Sequence, residues 1–86
     1  MLVRWTRHAK HRFAERAAML GINYAEIELA IKKQKVRIKE GKNKFKTVFR
    51  IQDALLTAVK AENPKFIYVL TLWEANEEEA EKWKKK

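Results

Sequence analysis

The chain has 86 residues, 36% of them charged, and its 20 lysines and arginines against 11 acidic residues give a formal net charge of +9. This length predicts a single domain over residues 1–86, close to the lower size limit for a core that is stable without cross-links. Because the chain contains no cysteine, a disulfide framework and a thiolate metal site are excluded. No run approaches the roughly 20 apolar residues of a membrane span, and the N-terminus lacks the apolar run of a signal peptide, so we expect a cytoplasmic protein with no membrane partner.

The positive charge is concentrated in residues 1–60, which hold 15 lysines and arginines against 5 acidic residues, whereas residues 61–86 hold 5 against 6. A field of this sign favours a polyanionic partner, and nucleic acid is the first candidate. Lysine and glutamate dominate the charged residues, a bias typical of hyperthermophilic proteins. The charge therefore has two explanations, nucleic-acid binding and a hot habitat.

The first half of the chain predicts a short strand and two helices. Residues 2–5 are a short apolar stretch, and Thr6 is placed to cap a helix over residues 7–19 that ends at Gly21. Asn23 and Glu26 form a capping box that opens a second helix. The helical spacing predicts core positions at Ala9, Phe13, Ala17 and Leu20, followed by Tyr24, Ile27, Ala30 and Ile31.

After residue 34 the apolar period changes from 3.6 to 2, which indicates strands. The strand segments are residues 36–40, 44–51, 54–62 and 66–73, separated by turn signals at 40–43, 52–53 and 63–65. Asn76 caps a final helix with glutamates in its first turn and lysines in its last turn. The predicted class is α+β: an antiparallel sheet, made of a short N-terminal strand and a three-strand meander, packed on two N-terminal helices, with a short C-terminal helix (β-α-α-β-β-β-α).

Three motifs carry a resemblance to a known family. Residues 8–16 read HAKHRFAER, residues 21–31 read GINYAEIELAI and residues 68–83 read YVLTLWEANEEEAEKW. Over nearly the whole chain these resemble the RelE/ParE-like toxin superfamily, and within it the small branch related to the BrnT toxins. Family members usually pass from Glu-Arg directly to Gly-Ile, whereas here residues 17–20 intervene and predict an extra helical turn. The resemblance implies a RelE-like fold, a toxin that binds or cuts RNA, often on the ribosome, and an antitoxin protein that neutralises it.

The first helix carries a charged cluster, in which His8, Arg12 and Glu15 share a narrow arc with His11 and Arg16 on either side. RNA cleavage without a metal needs a base, an acid and cations for the phosphate, and these residue types supply all three. In the structural alternative, Arg12 pairs with Glu15 in solvent and His8 anchors the helix to the strands. A metal site is disfavoured because two histidines offer too few ligands and the arginines repel a cation. We expect neither a metal nor a cofactor.

A second basic cluster is predicted on the sheet. Period 2 places Lys44, Lys46 and Arg50 on one side of their strand. Lys60 on the next strand and Arg37 and Lys39 on the preceding strand are expected to join them. In the resembled family RNA or the antitoxin lies on the open sheet face, although charges there also simply keep a sheet soluble. The candidate catalytic residues are His8, His11, Arg12, Glu15 and Arg50, and the candidate nucleic-acid-binding residues are Arg16, Lys44, Lys46, Lys60 and Tyr68.

The aromatic residues complete the prediction. Tyr68 and Trp73 are expected on opposite faces of the last strand, where either could stack on a base or lie in the core. Trp5 is expected in the core, and Trp83 docks the last helix or contacts a partner. The sequence thus predicts a small basic RNA-binding protein of this toxin type and leaves open whether it is a metal-independent endoribonuclease. The alternative is a non-enzymatic interaction module that pairs with another protein or forms a homodimer through its last strand or terminal helix.

Overall fold

The computed structural model describes residues 2–33 and 35–85. Its elements are β1 (Leu2–Trp5), α1 (Arg7–Arg16), a 3₁₀ turn (Ala18–Leu20), α2 (Tyr24–Lys33), β2 (Val36–Gly41), β3 (Lys44–Ile51), β4 (Ala54–Glu62), β5 (Phe66–Glu74) and α3 (Glu77–Lys84). The α+β class is confirmed, and the order of elements broadly matches the predicted one. No helix in the described ranges is long and apolar enough to cross a membrane.

The five strands form one mixed sheet in the order β1-β5-β4-β3-β2. The antiparallel meander has four strands rather than three, because residues 36–41 also pair with β3. β1 pairs with β5 in parallel, not antiparallel as expected. A parallel pair needs a long crossover, which the helices and the meander between the two strands provide. Since β5 lies between β1 and β4, the last strand has no free edge for pairing with a second copy.

The helix caps follow the sequence closely. The Thr6 hydroxyl accepts a hydrogen bond from the Ala9 backbone N–H at 3.0 Å. The Asn23 backbone N–H donates to Glu26 and the Glu26 backbone N–H donates to Asn23, at 3.1 and 2.9 Å. Asn76 begins α3 with a second reciprocal pair of bonds. All three predicted helix starts are therefore confirmed.

The end of α1 differs from the prediction. The α-helix stops at Arg16, residues 18–20 form a 3₁₀ turn, and Gly21 closes it with a left-handed φ of 77°. A 3₁₀ turn has three residues per turn, so side chains from Ala18 onward no longer follow the angular progression of α1. The prediction that Leu20 lies in the core is wrong for this reason, because its side chain is 47% exposed.

The core lies between the sheet and the first two helices. Its buried residues are Ala9, Phe13, Ala17, Ile22, Ile27, Ile31, Phe49, Ile51, Leu56, Ala58, Ile67, Val69 and Leu72. Phe13 stacks on Tyr24 with ring centroids 3.9 Å apart, and Trp5 meets both rings edge-on. The Trp5 indole N–H donates to Glu28 at 2.9 Å. Trp5 therefore packs against the core, as predicted, with its polar atom satisfied.

A β-bulge on β5 changes which face its side chains occupy. Val59 pairs with Thr71 and Lys60 pairs with Val69, so Leu70 is an extra residue. One inserted residue reverses the alternation of side chains along a strand. Tyr68 and Trp73 consequently pair with Ala61 and Thr57 on the same face of β4, and the prediction that they lie on opposite faces is wrong.

Candidate nucleic-acid interface

The open face is defined here as the side of the sheet opposite α1 and α2, and the strand register arranges its side chains in rows. One row, called the basic row, crosses β1, β5, β4 and β3 through Arg4, Tyr68, Ala61 and Lys44. The next row crosses β5, β4, β3 and β2 through Thr71, Val59, Lys46 and Ile38. Beyond it, Thr57 and Trp73 lie beneath α3 and donate hydrogen bonds to Glu79.

The basic row places one cation on each side of an aromatic ring. Arg4 and Lys44 are exposed, and neither forms an ion pair with an acidic side chain of residues 2–33 or 35–85. The Arg4 guanidinium lies 4.6 Å from the ring centroid of Phe66, which is 5.8 Å from that of Tyr68. Arg4 and Lys44 are three strand spacings apart in this row. Since neighbouring strands lie about 4.8 Å apart, the Cα atoms of Arg4 and Lys44 are roughly 14 Å apart. Ala61 adds only a methyl group between them, which leaves the Tyr68 ring accessible.

Lys46 lies in the neighbouring row, where it forms an ion pair with the buried carboxylate of Glu79. Its ammonium is 3.2 Å from Glu79 Oε2, and its side chain is 20% exposed. Glu79 Oε1 also accepts hydrogen bonds from the Asn76 backbone, Trp73 and Thr57. Burial acts to raise the pKa of Glu79, but these bonds and Lys46 outweigh it and hold the pKa below its ordinary value. Lys46 therefore attaches α3 to the sheet, and Glu79 partly neutralises the positive charge of Lys46 on the open face.

Lys60, Arg37 and Lys39 do not join this surface, and the prediction that they lie beside Lys44 and Lys46 is wrong. Arg37 and Lys39 of β2 pair with Thr47 and Phe45, which face α1 and α2. Lys60 pairs with Phe45 from the other side, on the same face, and is 1% exposed. The two-residue turn between Ile51 and Ala54 sets this register, because it places even-numbered residues of β4 opposite odd-numbered residues of β3.

Lys60 is instead part of a buried ion network. Its ammonium is 2.7 Å from Glu62 Oε2, and Glu62 Oε1 accepts from Arg37 at 3.0 Å. Burial acts to raise the pKa of Glu62, but Lys60 and Arg37 outweigh it, so the pKa lies below its ordinary value. The Arg37 guanidinium also lies 3.6 Å from the ring centroid of Phe45. These cations are already paired and are not offered to a ligand.

The charged cluster on α1 lies mostly on the helix side of the molecule. Arg12 Nη1 is 3.4 Å from Glu15 Oε1, and His11 Nε2 is 3.7 Å from the same atom. Arg16 is exposed in the last turn of α1. α1 packs against β5, and within residues 2–33 and 35–85 these four side chains form no hydrogen bond or ion pair with a residue of the open face. The arrangement matches the structural alternative in which Arg12 and Glu15 pair in solvent.

His8 is the member of the cluster that reaches the open face. α1 begins just beyond the end of β1, and there His8 Nε2 is hydrogen-bonded to Thr71 Oγ1 at 3.1 Å. Thr71 lies two strands from Lys46, a distance of about 10 Å. His8 thus anchors α1 to β5, as the structural alternative predicted, and places one imidazole at the edge of the open face.

Arg50 lies far from the basic row, although it shares a strand with Lys44. Its Nε donates to the Gln52 carbonyl at 3.0 Å, and Nη2 is 3.6 Å from Asp53. Six residues along β3 separate it from Lys44, which corresponds to roughly 20 Å. The predicted catalytic residues therefore do not meet in one recess.

Arg4 and Phe66 were not among the residues that the sequence singled out. Their place depends on the parallel pairing of β1 with β5, which no local pattern signals; the alternation of Phe66 and Tyr68 was the one visible sign. Within the described residues, no group of three or more histidine or acidic side chains is placed to hold a metal. No known protein family, curated protein or solved structure matches the chain.

Proposed function

We propose that the protein binds single-stranded RNA along the basic row of the open face. The observation that carries the proposal is the placing of two cations, Arg4 and Lys44, on either side of the Tyr68 ring, with Phe66 beside it and no acidic partner for either cation among the described residues. Unstacked RNA bases stack on aromatic side chains while cations hold the phosphates, and stacking is worth about 1–3 kcal/mol per base. An open sheet face with this composition suits an extended single strand better than a duplex.

The geometry favours binding over cleavage. A metal-independent ribonuclease needs a base, an acid and phosphate-holding cations around one phosphate. Of the charged cluster on α1, only His8 is hydrogen-bonded to a residue of the open face in the described chain, Thr71, while His11 and Arg12 lie beside Glu15. RNA binding therefore accounts for the site without a chemical step.

The motifs at residues 8–16 and 21–31 resemble those of RelE/ParE-like toxins and support RNA as the polyanion. By the same resemblance we propose a cytoplasmic protein that meets its RNA on the ribosome and whose antitoxin covers the basic row. Ribosomes should then co-sediment the wild-type protein but not the Arg4→Ala/Lys44→Ala variant. A bound antitoxin should compete with RNA for the same surface.

The first prediction concerns the salt dependence of RNA binding. Two phosphate contacts, from Arg4 and Lys44, should give log K against log[salt] a slope of about −1.4, since each contact on a single strand contributes about 0.7. Lys44→Ala should weaken binding and reduce the slope by about 0.7. The measurement is fluorescence anisotropy of a labelled single-stranded RNA, titrated at several salt concentrations.

The matched control is Lys32→Ala, which removes an exposed lysine from α2 on the other side of the sheet and should leave the slope unchanged. Tyr68→Ala should weaken binding without changing the slope, because it removes stacking and no charge. Equal losses for Lys32→Ala and Lys44→Ala would show that net charge alone binds RNA and would contradict the proposal. Cleavage of RNA by the protein in the presence of EDTA would contradict the proposal that the protein binds RNA without cleaving it.

A further inference from the structure

Two apolar grooves lie at the end of the molecule formed by the β3–β4 turn, and they share Ile51. The α2 groove, of about 410 Å³, is lined on its apolar side by Leu29, Ala30, Phe49, Ile51 and Trp83. The turn groove, of about 370 Å³, is lined on its apolar side by Leu20, Ile22, Ile51 and Ala54. Ile51 therefore joins the grooves into one apolar strip across this end of the sheet.

Large apolar side chains stand exposed beside this strip. Leu29, in the α2 groove, is 54% exposed, and Leu20, in the turn groove, is also exposed. Met19, next to Leu20 in the 3₁₀ turn, is 84% exposed. Contiguous exposed apolar surface on a small protein marks a place where another molecule packs, and methionine adapts readily to such contacts.

The charges around the two grooves have opposite signs. The α2 groove is bordered by three cations and one acid: Lys33, Lys35, Arg50 and Glu26. The turn groove is bordered by two acids, Asp53 and Glu74, and no cation. Neither Lys33 nor Glu74 forms an ion pair within residues 2–33 and 35–85. The strip is thus basic at one end and acidic at the other.

We propose that this strip is a two-fold symmetric interface with a second copy of the same chain. In a symmetric dimer one surface must complement itself, and a strip with a basic end and an acidic end does so when the two copies run antiparallel. Lys33 then faces Glu74 of the partner subunit, and Met19 enters the partner's α2 groove. An acidic peptide would fit the α2 groove but would be repelled at Asp53 and Glu74, so the second copy is the better occupant.

A charge-swap experiment tests this interface. The molecular mass of the full chain is measured by sedimentation over protein concentration at about 0.15 M salt, where long-range repulsion between the basic chains is screened. The wild-type protein should pass from monomer to dimer as concentration rises. Lys33→Glu and Glu74→Lys should each be monomeric, since each places like charges opposite one another. An equimolar mixture of the two variants should dimerise, because both contacts are then attractive.

A wild-type protein that stays monomeric up to roughly 1 mM would overturn the proposal, as would a mixture of the two variants that fails to dimerise. Met19→Asn should also weaken the dimer, because it brings a polar amide to the apolar lining of the partner's α2 groove, and the high exposure of Met19 means that the monomer keeps its fold. The matched control is Leu2→Asn, which changes an exposed apolar residue on β1 at the opposite end of the sheet and should leave the dimer intact. Since Met19 lies away from the basic row and the variant keeps the net charge, Met19→Asn should bind RNA normally, so that this inference and RNA binding can fail separately.

Discussion

Glu79 is the residue on which the attachment of α3 depends. Its side chain is buried, accepts hydrogen bonds from Asn76, Trp73 and Thr57, and forms an ion pair with Lys46. A buried carboxylate is stable only when such donors replace its hydration. One residue therefore closes the capping box of α3, satisfies the indole N–H of Trp73 and ties the helix to β3 and β4.

We expect Glu79→Gln to destabilise the fold by about 2–4 kcal/mol, because it leaves the Lys46 ammonium facing an amide. The measurement is urea unfolding at neutral pH. Glu77→Gln, in the exposed first turn of the same helix, is the control and should change stability little. Equal stability of the wild type and Glu79→Gln would contradict the anchoring role of Glu79.

The lowered pKa of Glu79 also predicts a pH dependence. A carboxyl group whose pKa is lower in the folded state stabilises the fold fully above its unfolded pKa of about 4.3, and this stability is lost as pH falls through the folded value. As the pH falls, Glu79→Gln should therefore lose less stability than the wild type, and the free energies of unfolding of the two proteins should converge. A constant difference at every pH would show that the charge of Glu79 is not involved.

At the scale of the elements, turns and bulges decide where side chains point. The turn at residues 52–53 is a tight two-residue hairpin, in which Gln52 adopts a positive φ of 56°, and it sends Lys60 to the buried face. The extra residue Leu70 brings Tyr68 and Trp73 to the same face. The 3₁₀ turn ahead of Gly21 exposes Met19 and Leu20. Each of these features changes the surface that a side chain faces without moving the side chain to another element of the fold.

The two glycines give a matched test of backbone conformation. Gly21 has φ 77° with no atom within 4 Å of an added Cβ, so Gly21→Ala should cost about 1–2 kcal/mol through backbone strain alone. Gly41 has no such φ, and a Cβ there would meet only the Lys44 Cβ at 3.6 Å. Gly41→Ala should therefore be neutral or slightly stabilising. Thermal unfolding of both variants measures the difference, and equal costs would contradict the left-handed cap.

At the scale of the whole molecule, the two ends of the sheet have different chemistry. The end that carries the β2–β3 and β4–β5 turns holds the basic row, while the end that carries the β3–β4 turn holds the two apolar grooves. The proposed RNA site and the proposed dimer interface therefore lie at opposite ends of the sheet. The four-strand meander and the first two helices form the rigid support that keeps both surfaces in place.

The RNA site that we propose exists only in the folded protein, so RNA should also stabilise the whole molecule. At an RNA concentration 100 times the Kd, the stabilisation is about 2.7 kcal/mol, which for a domain of this size raises the Tm on the order of 10 °C. The Arg4→Ala/Lys44→Ala variant should show little of this shift under the same conditions. The measurement is thermal unfolding with and without single-stranded RNA, and an equal shift in the variant would place the RNA elsewhere.

The sequence by itself determined the elements and their chemistry. Thr6, Asn23 and Asn76 fixed the helix starts, and the change from period 3.6 to period 2 fixed where the strands begin, because caps and side-chain periodicity act over a few neighbouring residues. The basic charge and the lysines of β3 were equally visible. These properties depend only on local geometry, which the order of residues specifies.

Only the tertiary structure decided which of those residues share a surface. The parallel pairing of β1 brought Arg4 beside Tyr68, and the register of β4 buried Lys60 against Glu62. The position of α1 on the other side of the sheet separated Arg12 from Lys44. These outcomes depend on strand order and register, which are set by contacts between segments far apart in the chain, and no local pattern of residues contains them.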